Sequence, residues 1–191
     1  MYISKGNKKT GKVLIWSLPA KKTCPGSTEM CRKNCYAKKA EKQFPPVLPC
    51  RELNLESTKW DSFEAQMILR IAKMTQRREY LFRIHESGDF YNQDYLDKWK
   101  RIAAALPNIK FLAFTKSYHL DFSDTPENLR IVVSVFPDSP TIPKSIEHLT
   151  RAYAGNCELI EKTMECYGEC ETCGLCWELK DINRNVHFDL H

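Results

Sequence analysis

Cysteine is the residue type in this chain whose number and spacing point most clearly to chemistry. The sequence contains nine cysteines in 191 residues, and its first residues form no apolar run of signal-peptide length. We therefore expect a cytosolic protein, in which clustered thiols bind metal more often than they form disulfides. The cysteines form an early group and a late group, with Cys50 apart: Cys24, Cys31 and Cys35, then Cys157, Cys166, Cys170, Cys173 and Cys176.

The early group has the composition of a three-thiolate cluster site. Cys24, Cys31 and Cys35 are separated by six and three residues, in a loop that leads into a helical pattern. Three thiolates in such a loop can hold three irons of a [4Fe–4S] cluster. The fourth iron would be open or held by Cys50, His85 or a small molecule. Zinc, which prefers four protein ligands in a structural site, is an alternative, and so are three buried thiols without metal.

The late group predicts a second metal site near the end of the chain. Cysteines spaced two residues apart are typical of zinc and iron–sulfur proteins, and spacing alone does not decide between the two. The group has five thiols for four positions. The ligands we predict are Cys157, Cys170, Cys173 and Cys176, with Cys166 left over.

Polar residues directly after predicted strands are the candidates for catalysis and ligand binding. His85, Asp89 and Lys116 are the predicted catalytic residues: a base or iron ligand, an acidic anchor and a cation for an anionic substrate. The alternative is a hydrogen-bonded turn and an ordinary surface lysine. Strand alternation would place His85 on the same face as Leu81 and Arg83.

The apolar pattern predicts an α/β fold. Short apolar runs alternate with amphipathic segments, which favours parallel strands joined by right-handed crossovers. We predict a partial, open (βα) TIM-like barrel over 1–155 and a cysteine-rich metal-binding tail over 156–191, with no membrane span. The predicted strands are Lys12–Ser17, Tyr80–His85, Ile109–Phe114, Ile131–Val135 and Ala152–Ala154; the predicted helices are Cys31–Lys42, one after a Ser57 or Thr58 cap, and one after an Asp94 cap.

Charge is unevenly distributed. Residues 1–42 are rich in lysine and arginine and contain only Glu29 and Glu41 as acids, whereas glutamates dominate the cysteine-rich tail. A basic region attracts anions, including nucleic acid, and should lower the pKa of the early thiols.

Short ordered motifs make the chain resemble the phage gene product eighty-eight family. The resemblance covers most of the chain and implies a protein of phages or related mobile elements, in the cytosol of the host cell. It strengthens the metal hypothesis without naming a reaction. The motifs are Gly11-Lys12, Ser17-Leu18-Pro19-Ala20, Thr23-Cys24-Pro25-Gly26, Cys31, Cys35-Tyr36-Ala37, Ser87-Gly88-Asp89-Phe90, Phe114-Thr115-Lys116-Ser117 and the late cysteines.

The order of these motifs is also similar, more remotely, to radical S-adenosylmethionine (SAM) enzymes. In those enzymes a three-cysteine loop follows the first barrel strand, and a glycine-rich acidic turn after the second strand holds the amino group of SAM. The likeness implies that Ser87, Gly88 and Asp89 bind SAM. The sequence departs from that pattern in its cysteine spacing and in having one glycine in the turn.

Three hypotheses follow for the function. The first is a barrel with one or two [4Fe–4S] clusters that acts on SAM or another small anionic substrate. The second is a zinc-stabilised nucleic-acid- or protein-binding module that uses the basic N-terminal region. The third is an electron carrier or redox sensor. Polar residues at successive strand ends favour the first, because a binding module has little need of them.

Overall fold

The computed structural model describes residues 1–7, 9–76, 78–158 and 160–189. Four residues of the predicted basic region and cysteine-rich tail lie outside the described residues: Lys8, Leu159, Leu190 and His191. The described chain has a mixed α/β fold built on one sheet of eight strands. The sheet is open, with different strands at its two edges.

Consecutive parallel strands form the centre of the sheet. From edge to edge, the order is β1-β2-β3-β4-β5-β6-β8-β7. The first strand pairs antiparallel with the second, and all other neighbours pair in parallel. The strands are β1 (Ile3–Ser4), β2 (Leu14–Trp16), β3 (Tyr80–Ile84), β4 (Ile109–Thr115), β5 (Leu129–Val135), β6 (Arg151–Ala154), β7 (Thr163–Glu165) and β8 (Asn185–Phe188).

The five predicted strands are confirmed as β2 to β6. Their helices and loops connect neighbouring parallel strands, and right-handed crossovers place such connections on one face of a sheet. The helices are α1 (Glu29–Lys33), α2 (Tyr36–Gln43), α3 (Val47–Ser57), α4 (Phe63–Thr75), α5 (Gln93–Ala104) and α6 (Cys170–Cys173), with short 3-10 turns at Lys144–Ile146 and Leu175–Trp177.

Two of the predicted helices have different bounds in the structure. The predicted helix Cys31–Lys42 is divided, because α1 ends before Cys35, which caps α2 in an extended conformation. The helix predicted after Ser57 begins only at Phe63. Ser57 is instead the last residue of α3, a helix that the sequence pattern did not predict.

One face of the sheet packs against α4 and α5 to form the main core. Helix α5 buries Leu96, Trp99 and Ile102 completely. Its N-cap is Asn92, which accepts from the Tyr95 N–H, rather than the predicted Asp94. The ring of Trp99 packs against Phe82 of β3, with ring centroids 5.7 Å apart. This rigid layer fixes the strand ends that carry the polar residues.

The opposite face of the sheet is covered by the tail. Trp177 and Leu179 pack against a second apolar cluster that includes Leu112 and Val132. The Trp177 indole N–H donates to the Phe82 carbonyl at 3.3 Å. The tail also extends the sheet itself, since β8 pairs with β6. No helix in the described part of the chain is long and apolar enough to cross a membrane.

Candidate functional site

A cavity of about 460 Å³ lies on the tail-covered face of the sheet. Its floor includes Arg83, Leu112 and Phe114, which come from neighbouring parallel strands. Three cysteines of each group line it, together with the predicted catalytic and SAM-binding residues after β3 and β4. These lining residues are Cys24, Cys31, Cys35, Cys166, Cys170, Cys176, His85, Ser87, Gly88, Asp89 and Lys116.

Backbone hydrogen bonds join the early cysteine loop to the turn after β3. The Leu18 N–H donates to the Ser87 carbonyl at 2.8 Å, and the Asp89 N–H donates to the Thr23 carbonyl at 3.1 Å. Gly88 has a φ of 87°, and a Cβ there would lie 2.7 Å from the Leu18 Cβ. Glycine is therefore required at this position by conformation and by close packing. The Ser87 hydroxyl is buried and has no hydrogen-bond partner among the described residues.

Further contacts hold the same loop against the ends of β4 and β5. The Met30 N–H at the start of α1 donates to Asp138 Oδ2 at 2.7 Å, just beyond β5. A Cβ on Gly26 would lie only 1.9 Å from the Lys116 carbonyl oxygen. The loop that carries the three cysteines is thus fixed at the carboxyl ends of the parallel strands.

Glu41 anchors the beginning of the cysteine loop from α2. Its carboxylate accepts from the Ala20 N–H at 2.7 Å and from Arg51 Nη1 at 3.2 Å. Lys38 donates to its other oxygen at 3.0 Å. Burial acts to raise the pKa of Glu41, but these three hydrogen bonds outweigh it and hold the pKa below its ordinary value. A buried carboxylate paired in this way orders the loop.

Asp89 acts in the structure as a hydrogen-bond acceptor for the backbone. One oxygen accepts from the Phe90 N–H and the Thr115 hydroxyl, each at 2.7 Å. The other accepts from the Lys116 N–H at 2.8 Å. Burial raises the pKa of Asp89, although these hydrogen bonds oppose the shift. The carboxylate therefore joins the turn after β3 to the end of β4.

Asparagine at position 89 should destabilise the fold. Because both carboxylate oxygens accept hydrogen bonds, the amide NH₂ of Asp89→Asn must face a donor. An unsatisfied buried donor costs roughly 1–3 kcal/mol. Urea unfolding followed by tryptophan fluorescence should show this loss. Asp61→Asn, at an exposed position, is the control, and equal midpoints for the two variants would contradict the assignment.

His85 occupies a different face from the one that strand alternation predicts. The strand ends at Ile84, and His85 has a left-handed φ of 67°. Its ring therefore packs against Phe90 and Tyr95 of the helix-side core, at 4.9 Å and 5.6 Å between centroids. The expectation that His85 shares a face with Leu81 and Arg83 is wrong for this reason.

The hydrogen bonds of His85 favour a neutral ring. The Trp16 indole N–H donates to the Tyr95 oxygen at 2.9 Å, which leaves the Tyr95 hydroxyl proton for His85 Nε2, also at 2.9 Å. The remaining proton is then on Nδ1, which has no partner among the described residues. Burial, with a smaller effect of nearby Arg83, lowers the pKa of His85 to about 3. A ring of that pKa is a poor base at neutral pH.

Burial raises the pKa of two thiols in the early group. It raises the pKa of Cys24 to about 11, and Asp89 adds to the shift. It also raises the pKa of Cys31, despite the nearby Lys116 ammonium. For Cys24 and Cys31 the expectation that the basic region lowers the thiol pKa is wrong, because desolvation of the thiolate outweighs the positive charges. Metal binding at these thiols would release protons.

The structure groups the late cysteines differently from the predicted ligand set. Cys166, Cys170 and Cys173 all lie near Cys176, whose pKa burial raises to about 12 with a further increase from these neighbours. Cys157 lies outside the cavity lining, and its thiol donates to the Ala154 carbonyl at 3.2 Å. The four cysteines that lie together are therefore the continuous run from 166 to 176. Spacing alone could have indicated this set.

The cysteines do not form a single-ion site. Among the residues that the structure describes, no three His, Cys, Asp or Glu side chains converge closely enough to hold one metal ion. Cys50 lies on α3, outside the cavity lining. It is thus not placed beside the early group.

Arg83 is a cavity residue that the sequence analysis did not assign to the site. It lies within β3, on the floor of the cavity, and its guanidinium carbon is 5.2 Å from the centroid of the Phe114 ring. The signal in the sequence is a single arginine in an otherwise apolar strand. Strand alternation placed Arg83 on the same face of the strand as Leu81, and that face lines the cavity.

A known protein family matches most of this chain. The model described as "Gene product 88" matches residues 1–166. The chain belongs to the gene product 88 family. The matched range includes the whole early cysteine loop, the strands β2 to β6 and the turn after β3, so the cavity floor is part of the family region.

Two relatives in this family come from mycobacteriophages. The "Gene 88 protein" of Mycobacterium phage L5 is 31% identical over 137 residues, and that of Mycobacterium phage D29 is 28% identical over the same length. Each alignment covers 65% of this chain and 57% of the relative, so the chain matches little more than half of these proteins. No solved structure matches the chain significantly.

Proposed function

We propose that this gene product 88 protein holds an iron–sulfur cluster through Cys24, Cys31 and Cys35. The observation that carries the proposal is that all three thiols line one cavity at the carboxyl ends of the parallel strands. The loop that presents them is fixed to three strand ends by hydrogen bonds and close packing. Ordered thiols in a shared cavity are the donors that iron–sulfur clusters use.

The donor set suits a cluster better than a single ion. A cluster is larger than one ion, so its thiolates need not converge on one point, which agrees with the spread of the cysteines around the cavity. A bound cluster would supply one-electron chemistry at this position. The late run of Cys166, Cys170, Cys173 and Cys176 would hold a second cluster.

The proposed likeness to radical SAM partial barrels rests on strand order alone, because the sheet is open and not closed into a barrel. Strands β2 to β6 are parallel neighbours in chain order, and the cavity is on the face that faces away from α4 and α5. A partial, open (βα) barrel has its active site at the carboxyl end of such strands. Lys116 lies beside Cys31 and would meet the carboxylate of SAM or of another small anion.

Anaerobic reconstitution with iron and sulfide tests this proposal. We expect broad visible absorbance, a paramagnetic signal after reduction, and a change of that signal when SAM is added. A cluster that does not respond to SAM would favour an electron carrier or redox sensor. A colourless zinc protein would contradict the proposal and favour a nucleic-acid- or protein-binding module, whose nucleic-acid affinity should fall steeply with salt.

A further inference from the structure

Three cations line the cavity without a carboxylate partner. Among the described residues, no ion pair includes any of them. Each lies instead near the face of an aromatic ring, which weakly stabilises a cation. The pairs are Arg83 with Phe114 at 5.2 Å, Lys9 with Phe188 at 5.6 Å and Lys116 with Phe136 at 4.9 Å.

Arg83 is the cation of the three whose side chain has a buried nitrogen without a hydrogen-bond partner. Its Nε atom is buried and has no hydrogen-bond partner among the described residues. An arginine cannot lose its charge in a protein, and leaving a buried donor unsatisfied is costly. A guanidinium at the floor of a cavity is therefore suited to an anion that enters from outside.

The acidic residues that line the cavity form no ion pair with these cations among the described residues. Asp89 accepts three hydrogen bonds from the protein, from Phe90, Thr115 and Lys116, and the Lys116 ammonium acts on its charge. Glu86 accepts a hydrogen bond from the Asn7 side-chain amide. Asp189 is exposed and also lines the cavity. Arg83 is therefore at the floor of the cavity without a described carboxylate partner.

Most of the surface inside the cavity is apolar. Leu112, Ala152, Trp177 and Phe188 line the cavity together with Arg83. A volume of about 460 Å³ is within the range of small-molecule sites, which combine an apolar wall with a few placed polar groups. An inorganic anion alone would leave most of this surface without contact.

We propose that the cavity binds a small molecule with one anionic group and an apolar or aromatic body, and that Arg83 binds its anionic group. This inference rests on the proposed function, because it names the ligand class for the same cavity. It makes Arg83 a ligand-binding residue and assigns the apolar wall to the body of the ligand. Lys116 and Lys9 strengthen the field around the anion.

Calorimetry with a matched pair of probes tests the inference. 1-Naphthalenesulfonate and the neutral 1-naphthalenesulfonamide share one aromatic body and differ in charge. The purified chain should bind the sulfonate about tenfold more tightly than the sulfonamide, as expected for one charge-assisted contact. Arg83→Met should remove this preference and keep the sulfonamide affinity. Arg83→Lys should retain part of the preference.

Iron content is measured for each variant to test the cluster proposal separately from ligand binding. Thermal unfolding checks that each variant is folded. Arg70→Met, at an exposed position of α4, is the control and should bind both probes as the unaltered protein does. Equal sulfonate affinity in Arg83→Met, or binding of neither probe to the unaltered chain, would overturn the inference even if iron is present. Inorganic phosphate that binds as tightly as the sulfonate would also overturn it. A chain that contains no iron and still prefers the sulfonate would contradict the cluster proposal and leave this inference in place.

Discussion

Cys31→Ser should remove most of the iron and visible absorbance of the early site while leaving the chain folded. Cys31 is half-buried in α1 and lines the cavity between Cys24 and Lys116. A serine hydroxyl is a much poorer iron ligand than a thiolate, so two of the three proposed ligands would remain. Iron per chain and the visible spectrum measure the loss, and circular dichroism checks the fold.

Cys50→Ser is the matched control for this experiment. Cys50 is also half-buried and helical, but it lies on α3 outside the cavity lining. We expect full iron content in this variant. Equal iron in Cys31→Ser and Cys50→Ser would show that the early loop does not hold the cluster.

Glu41→Gln should produce a larger loss of stability than Asp89→Asn. Its carboxylate pairs with Arg51, and both side chains are buried. Removing one partner of a buried ion pair leaves an uncompensated charge, which costs roughly 3–5 kcal/mol. Because the same carboxylate accepts from the Ala20 N–H, the variant should also loosen the cysteine loop and reduce iron retention.

Glu56→Gln separates this effect from a general loss of negative charge. Glu56 pairs with Lys59 at the protein surface, where both side chains are exposed, and such pairs contribute little. Urea midpoints should therefore fall strongly for Glu41→Gln and hardly at all for Glu56→Gln. Similar midpoints would contradict the role assigned to Glu41.

The pKa of Glu41 also predicts the direction of a pH effect. Its folded-state pKa is lower than its ordinary value. Its contribution to stability is therefore complete above the unfolded pKa of about 4.3 and is lost as pH falls through the folded pKa. Urea midpoints measured across this acidic range should decline less in Glu41→Gln than in the unaltered chain.

Elements with strong apolar periodicity could be predicted from the sequence. The strands from β2 to β6 were predictable from short continuous apolar runs, and α5 from apolar residues repeated at the helical period of 3.6 residues. Because the strands are parallel, the polar residues that follow them were also expected to lie together at one edge of the sheet. Helix α3 was missed because the prolines before it suggested a stop, whereas Pro46 precedes its first turn.

The fine geometry of the site depended on tertiary contacts that sequence patterns do not encode. The left-handed backbone at His85 turns its ring into the core, which no alternation rule predicts. The raised pKa of Cys24 follows from burial, although the local sequence is basic. The placement of Arg83 beneath the tail required knowledge of how β6 and β8 pair.

The most direct test of the central claim is the content of iron, acid-labile sulfide and zinc in protein purified without oxygen. We expect about four irons and four sulfides from the early cysteine group, and a further cluster's content from the late group. Zinc without iron and sulfide would contradict it.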